Sequence, residues 1–160
     1  MSYEDYVAAR WSALYRTAYL LTSSHADAED LVQTTLVKAY LSWAKVSSAA
    51  SPDAYVRRIL TNAFLSGRRP LRVARERLVE QAPEIEAPET PYDERLVLWP
   101  HIASLPARQR AVVVLRYYED LSEQQIADAL GCSTGTVKST ASDALRSLRT
   151  RLGQQEGATS

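Results

Sequence analysis

The chain has 160 residues, 46% of them hydrophobic, and its 19 basic and 19 acidic side chains leave no formal net charge. That is enough apolar material for one domain or two small ones, while the zero balance argues against a free-standing protein that holds nucleic acid by bulk attraction alone. No apolar run approaches the roughly 18 residues of a membrane span. Glu4 and Asp5 occupy the start, where a signal peptide would be basic, so the cytoplasm is the expected address.

Five Gly, seven Pro and one Phe, with no sustained alternation of apolar and polar residues, point to an all-α fold of two small helical domains. In the first predicted helix Val7, Trp11, Leu14, Ala18 and Leu21 share a face and supply core. A second begins near Ser24-His25-Ala26-Asp27, with Ser24 as cap and Asp27 at the positive helix end. Its buried stripe is expected to be Val32, Leu36, Ala39, Tyr40 and Trp43. A second face, Asp27, Asp30, Thr34, Val37 and Leu41, mixes acidic and apolar groups, as interfaces often do. Either a partner or another helix of the same domain covers it.

The next predicted helix starts at Ser51-Pro52, a cap followed by a proline. Val56, Ile59, Leu60, Ala63 and Phe64 form its core stripe. The opposite face shows Arg57, Arg58, Thr61, Asn62, Leu65, Arg68 and Arg69, cations interleaved with an amide and an apolar tip, a mixture suited to nucleic acid. Charge then reverses. Seven arginines lie between Arg57 and Arg77 against one acid, Glu76, whereas Glu80 to Glu94 holds six acids, three prolines and no base. Residues 73–91 are expected to be a flexible acidic linker between domains at 1–72 and 92–153.

The second domain is expected to open with a helix around Tyr92 to Ser104. A helix from Pro106 follows, offering Val112, Val113, Leu115 and Tyr117 to the core. Ser122 and Gln125 have capping-box spacing, Gly131 suits a left-handed stop, and Ser133 caps the last helix. There Val137, Ala141, Ala144, Leu145, Leu148 and Leu152 form the apolar stripe. Gly135, Ser139, Asp143, Arg146 and Thr150 face outward, with Thr136, Lys138 and Ser142 at the edges. This is the pattern of a helix-turn-helix whose second helix enters a DNA groove. Residues 154–160 are expected to be a disordered tail.

Three stretches carry a family resemblance. "LPARQRAVVVLRYYEDLSEQQIADALGCSTGTVKSTASDALRSLR" resembles region 4 of bacterial RNA polymerase sigma factors of the extracytoplasmic-function (ECF) type, "DAEDLVQTTLVKAY" resembles region 2.2, and "SPDAYVRRILTNAFLSGRRP" resembles regions 2.3 and 2.4. The likeness runs from about Tyr3 to Leu152. It implies that Thr134, Gly135, Thr136, Lys138, Ser139, Ser142 and Arg146 meet the promoter −35 element. Arg58, Thr61, Asn62, Leu65, Arg68 and Arg69 would serve the −10 element, with the loop from Val46 to Ser51 receiving a flipped base. Asp27, Asp30, Gln33, Thr34, Val37 and Leu41 would dock on the β′ clamp helices of core polymerase, with the β flap and promoter DNA as further partners and an anti-sigma factor also admitted. Two departures stand out. Asp143, and Thr140 nearby, replace basic residues of the family pattern, so Asp143 either reads a cytosine or, as expected here, weakens binding by repelling phosphate. Gly67, after Ser66, is expected to fray its helix at a cost of about 1 kcal/mol.

No catalytic constellation is recognisable, and His25, His101 and Cys132 are too scattered for a metal site. No enzyme activity and no cofactor are expected. Two other readings compete: a stand-alone helix-turn-helix repressor built from residues after about Leu105, and a sigma-like interaction protein that binds polymerase or a regulator without reading promoters.

Overall fold

The computed structural model describes residues 1–67 and 99–158, and within these the regular structure is helical. Arg68, Arg69, the expected linker at 73–91 and the start of the expected helix at Tyr92 lie outside the described residues. The chain divides into two compact units, Met1–Glu89 and Thr90–Ser160.

In the first unit α1 (Tyr3–Thr22) begins at Ser2, whose Oγ accepts from the Asp5 amide, and ends at Ser23 in the left-handed region. Helix α2 (His25–Leu41) begins at Ser24, whose Oγ accepts from the Asp27 amide as its spacing predicts. α1 and α4 (Pro52–Ser66) both pack on α2. Every residue of α2 from Leu31 to Val37 is buried, so its buried surface is wider than a single stripe. Val32, Leu36 and Ala39 are buried as expected, but Tyr40 is 59% exposed. The cause is that α2 ends at Leu41 and Ser42 turns the chain into the short helix α3 (Trp43–Ser48). Trp43 therefore reaches the core from a new axis. Its ring meets Tyr3 edge-on at 5.6 Å, while Tyr40 packs on the other flank of Tyr3 at 5.1 Å.

Most of the expected loop from Val46 to Ser51 belongs to α3 or its flank: Val46 is fully buried and only Ala49–Ser51 is irregular. Ser51 Oγ then accepts from the Ala54 amide and Pro52 occupies the first turn of α4. Gly67 does not fray that helix. It adopts φ 63°, a conformation costly for any residue with a Cβ, and terminates α4 cleanly with its amide on the Phe64 carbonyl.

The second unit runs α5 (Trp99–Ala103), α6 (Ala107–Val113), a π-helical segment (Val114–Tyr118), α7 (Glu123–Leu130) and α8 (Thr134–Ala158). Its core gathers Ile102, Leu105, Val113, Ala144 and Leu148, with Trp99 and Tyr118 packed against them. The π segment corrects one expectation. The Glu119 amide reaches back five residues to Val114 O, and the wider turn rotates the following side chains. Tyr118 therefore meets Trp99 edge-on at 6.0 Å, while Tyr117 is 41% exposed. Along α8, Val137, Ala144 and Leu148 are buried, Ala141 and Leu152 are half-buried, and Leu145 faces solvent. α8 continues through Ala158, past the tail expected from 154.

Candidate polymerase and nucleic-acid interfaces

The helix-turn-helix is built from local rules. Ser122 Oγ accepts from the Gln125 amide at 3.1 Å and Gln125 Oε1 accepts from the Ser122 amide at 2.9 Å, closing the capping box at the start of α7. Gly131 stands at φ 67°, and the amides of Gly131 and Cys132 both donate to the Ala127 carbonyl. Ser133 Oγ accepts from the Thr136 amide at 3.1 Å, so one of the free amides at the start of α8 is capped. Buried Ile126, Ala127 and Val137 hold the two helices together.

Of the expected −35 residues, Gly135, Thr136, Lys138, Ser139, Ser142 and Arg146 are exposed on α8 and Thr134 is half-buried at its start. Backbone at Gly135 meets nothing but Ser133 Oγ, 3.7 Å from where a Cβ would sit, so the front of the helix is open to a close approach. Asp143 is less a free negative charge than its sequence position suggests: Arg146 Nη1 lies 3.5 Å from its Oδ1, one turn on. That exposed pair contributes little stability, but it partly neutralises the carboxylate.

On α4 the expected −10 residues separate. Arg58 and Asn62 are exposed and Leu65 is half-buried. Thr61 is fully buried, its Oγ1 donating to the Arg57 carbonyl at 2.8 Å. The helix period assigns Thr61 to the solvent face, but it is buried. Arg68 and Arg69 lie outside the described residues.

The expected polymerase face on α2 is also divided. Asp27 is exposed, Leu41 is 73% exposed and Asp30 is half-buried. Gln33, Thr34 and Val37 are buried. Gln33 Nε2 donates to Glu29 Oε1 at 3.4 Å and Thr34 Oγ1 to the Asp30 carbonyl at 2.8 Å. What the unit leaves open at the end of α2 is an aromatic-apolar step, Tyr40 beside Leu41. Assigning Tyr40 to the core stripe hid that step from sequence reasoning.

Two ionic clusters also escape the sequence, because their members are far apart in the chain. Asp53, in the first turn of α4, accepts from Tyr6 Oη on Oδ1 at 3.1 Å and from Arg10 Nη2 on Oδ2 at 2.6 Å, tying α1 to α4. Burial, reinforced by the Asp53 carboxylate, pushes the Tyr6 phenol above its ordinary range. Burial does the same to Tyr3, whose hydroxyl donates to the Leu36 carbonyl, with Glu4 adding to the effect. In the second unit Glu123 lies 3.2 Å from Arg116 Nη1 and 3.6 Å from Lys138 Nζ. Among the described residues no group of three His, Cys, Asp or Glu is arranged to hold a metal, and no helix is long and apolar enough to cross a membrane.

Comparison with known proteins matches both units. Residues 7–72 match Sigma-70 region 2 and residues 101–148 match Sigma-70 region 4. The RNA polymerase sigma-E factor of Streptomyces coelicolor is 38% identical over 159 residues, spanning 95% of this chain and 86% of that protein. The ECF RNA polymerase sigma factor SigL of Mycobacterium tuberculosis is 34% identical, over 98% of this chain and 89% of that one. Among solved structures, the sigma factor RpoE of Bartonella quintana, crystallised with the anti-sigma factor NepR, superimposes with a TM-score of 0.63 at 29% identity, covering 88% of this chain and 90% of that chain. A repressor assembled from the second unit alone does not account for a likeness that spans both units. The chain belongs to the ECF family of RNA polymerase sigma factors.

Proposed function

We propose that the chain is a noncatalytic specificity subunit that joins core RNA polymerase in the cytoplasm and carries it to promoters through two separate readers. The observation that carries this reading is the open front of α8, where Gly135, Thr136, Lys138, Ser139 and Ser142 stand exposed at the mouth of a capped helix-turn-helix. This front is assigned to the −35 element. Arg58, Asn62 and Leu65, continued by Arg68 and Arg69, are assigned to the −10 element.

Thr61 supports that reader from inside, as buried Gln33, Thr34 and Val37 support the polymerase face whose open members are Asp27, Asp30, Tyr40 and Leu41. The β′ clamp helices are the partner assigned to that face and the β flap is assigned to region 4. The likeness to a sigma factor crystallised with an anti-sigma factor supports a regulator of that kind as a further partner. Residues 1–72 and 92–153 would be the two functional domains, joined by 73–91.

The zero net charge fits this role. With roughly four phosphate contacts, the second unit alone would lose on the order of a hundredfold in affinity between about 50 and 200 mM salt. Two such weak readers held on one enzyme gain from effective concentration instead. Run-off transcription with cognate core polymerase, on promoters selected from a randomised DNA library, tests the reading. Initiation from selected promoters that Lys138→Ala and Asn62→Ala each reduce is the expected result. Promoter-independent or absent initiation by folded holoenzyme would overturn it.

A further inference from the structure

Glu123 is the first residue of α7, and its carboxylate stands between two cations from different elements, Arg116 of the π segment and Lys138 of α8. Arg116, Glu123 and Thr134 line a shallow cleft that ends at the first residue of α8. The Lys138 side chain is 67% exposed and that of Arg116 37%, so each can still reach an incoming polyanion, while Glu123 at 32% sits behind them.

We infer that Glu123 is a positioning residue for −35 recognition: it holds Arg116 and Lys138 as a pair and offsets one of their two charges, lowering affinity for DNA of any sequence while preserving discrimination between sequences. The inference rests on the assignment of α8 to promoter DNA made above.

The physical argument has two parts. Lysine is a flexible point charge, and one anchored only at its backbone meets whatever phosphate comes near. Glu123 restricts Lys138 to the part of its range nearest the α7 start, beside Thr134 and the front of α8. Exposed ion pairs are weak, so this restraint yields when DNA offers better geometry and penalises DNA that does not. The second part is charge. The triad presents one net positive charge where Arg116 and Lys138 alone would present two. Phosphate contacts set the salt dependence of binding, at a slope of about −0.9 for each phosphate neutralised on duplex DNA. Removing the Glu123 charge therefore adds up to one such increment, for matched and unmatched DNA alike.

Asp120 lines the same cleft, while Asp128 is engaged by Gln124 and Asp143 by Arg146, each on its own helix. Glu123 joins Arg116, outside α8, to Lys138 on α8.

The test uses holoenzyme of the full chain with cognate core, and two duplexes: one selected by wild-type holoenzyme from a library randomised at the −35 element, and the same duplex with that element scrambled. Affinity for each is measured from about 50 to 200 mM salt for wild type, Glu123→Gln, Lys138→Ala and the double variant. For Glu123→Gln the expected result is several-fold tighter binding to scrambled DNA, a slope steeper by up to about 0.9, and a matched-to-scrambled ratio reduced by up to about fivefold. Its thermal midpoint should stay within a few degrees of wild type, and Glu123→Asp should recover part of the ratio. In the Lys138→Ala background the Glu123→Gln effect on the ratio should shrink. An unchanged ratio and slope for folded Glu123→Gln, or effects that add independently of Lys138, would overturn the inference. If wild-type holoenzyme selects no −35 sequence at all, the assignment of α8 fails instead.

Discussion

Asp53 offers a way to ask how firmly α1 is fastened to α4, the helix proposed to meet the −10 element. Truncating it to alanine removes the acceptor of the Tyr6 hydroxyl, at 3.1 Å, and of Arg10 Nη2, at 2.6 Å. The Arg10 pair is exposed on both sides, 49% and 40%, and should contribute only about 0–1 kcal/mol. Tyr6 is only 3% exposed, so losing its acceptor costs about 1–3 kcal/mol. The negative charge in the first turn of α4 adds about 0.3–1 kcal/mol through the helix dipole. Asp53→Ala should therefore destabilise the first unit by about 1–5 kcal/mol. Asp53→Asn, which keeps an acceptor oxygen, should cost about half as much. The assay is urea unfolding of the full chain followed by Trp11 and Trp43, with Trp99→Phe in the background so that fluorescence reports the first unit alone. The decisive comparison is with Tyr6→Phe, in which Asp53→Ala should lose most of the tyrosine contribution. An Asp53→Ala cost below about 0.5 kcal/mol, or one that Tyr6→Phe leaves unchanged, would refute this view of the α1–α4 fastening.

Other outcomes follow from the same geometry. Gly131→Ala should lower the stability of the second unit by about 1–2 kcal/mol, because φ 67° forces a Cβ against the backbone, and Trp99 fluorescence during thermal unfolding reads it directly. Above pH ~10 the phenols of Tyr3 and Tyr6 ionise in the unfolded chain but stay neutral when buried, so stability present below that pH is lost as pH rises. The loss should reach about 1.4 kcal/mol per pH unit for each phenol, and Tyr3→Phe should flatten the alkaline slope in denaturation curves. Thr61→Ala should lower the unfolding midpoint of the first unit, whereas Asn62→Ala should leave it unchanged and reduce opening of the −10 region, seen as permanganate reactivity of unpaired thymines.

Where a feature is written in neighbouring residues, the sequence displays it. Ser24, Ser51, the Ser122–Gln125 box, Gly131 and Ser133 all act as their spacing implies, because capping is decided within four or five residues. Helical period also finds Val56, Leu60, Val137, Ala144 and Leu148 in the core. It fails where burial extends beyond one stripe. Thr34 and Thr61 are polar at positions that a single stripe leaves to solvent, yet their hydroxyls are satisfied by the carbonyl four residues back, which makes burial inexpensive. Period also fails where the axis changes: the break at Ser42 exposes Tyr40 and redirects Trp43, and the π segment exchanges Tyr117 for Tyr118. The Asp53 and Glu123 clusters join residues up to 47 positions apart, beyond any local signal.

The most direct test of the account is gel filtration of the purified chain with core RNA polymerase from its source, beside an Asp27→Arg, Leu41→Glu variant whose changes fall only on exposed positions. The account predicts that wild type co-elutes with core at one to one and that the folded variant does not. A folded, unmasked wild-type chain that elutes apart from its core polymerase would contradict it.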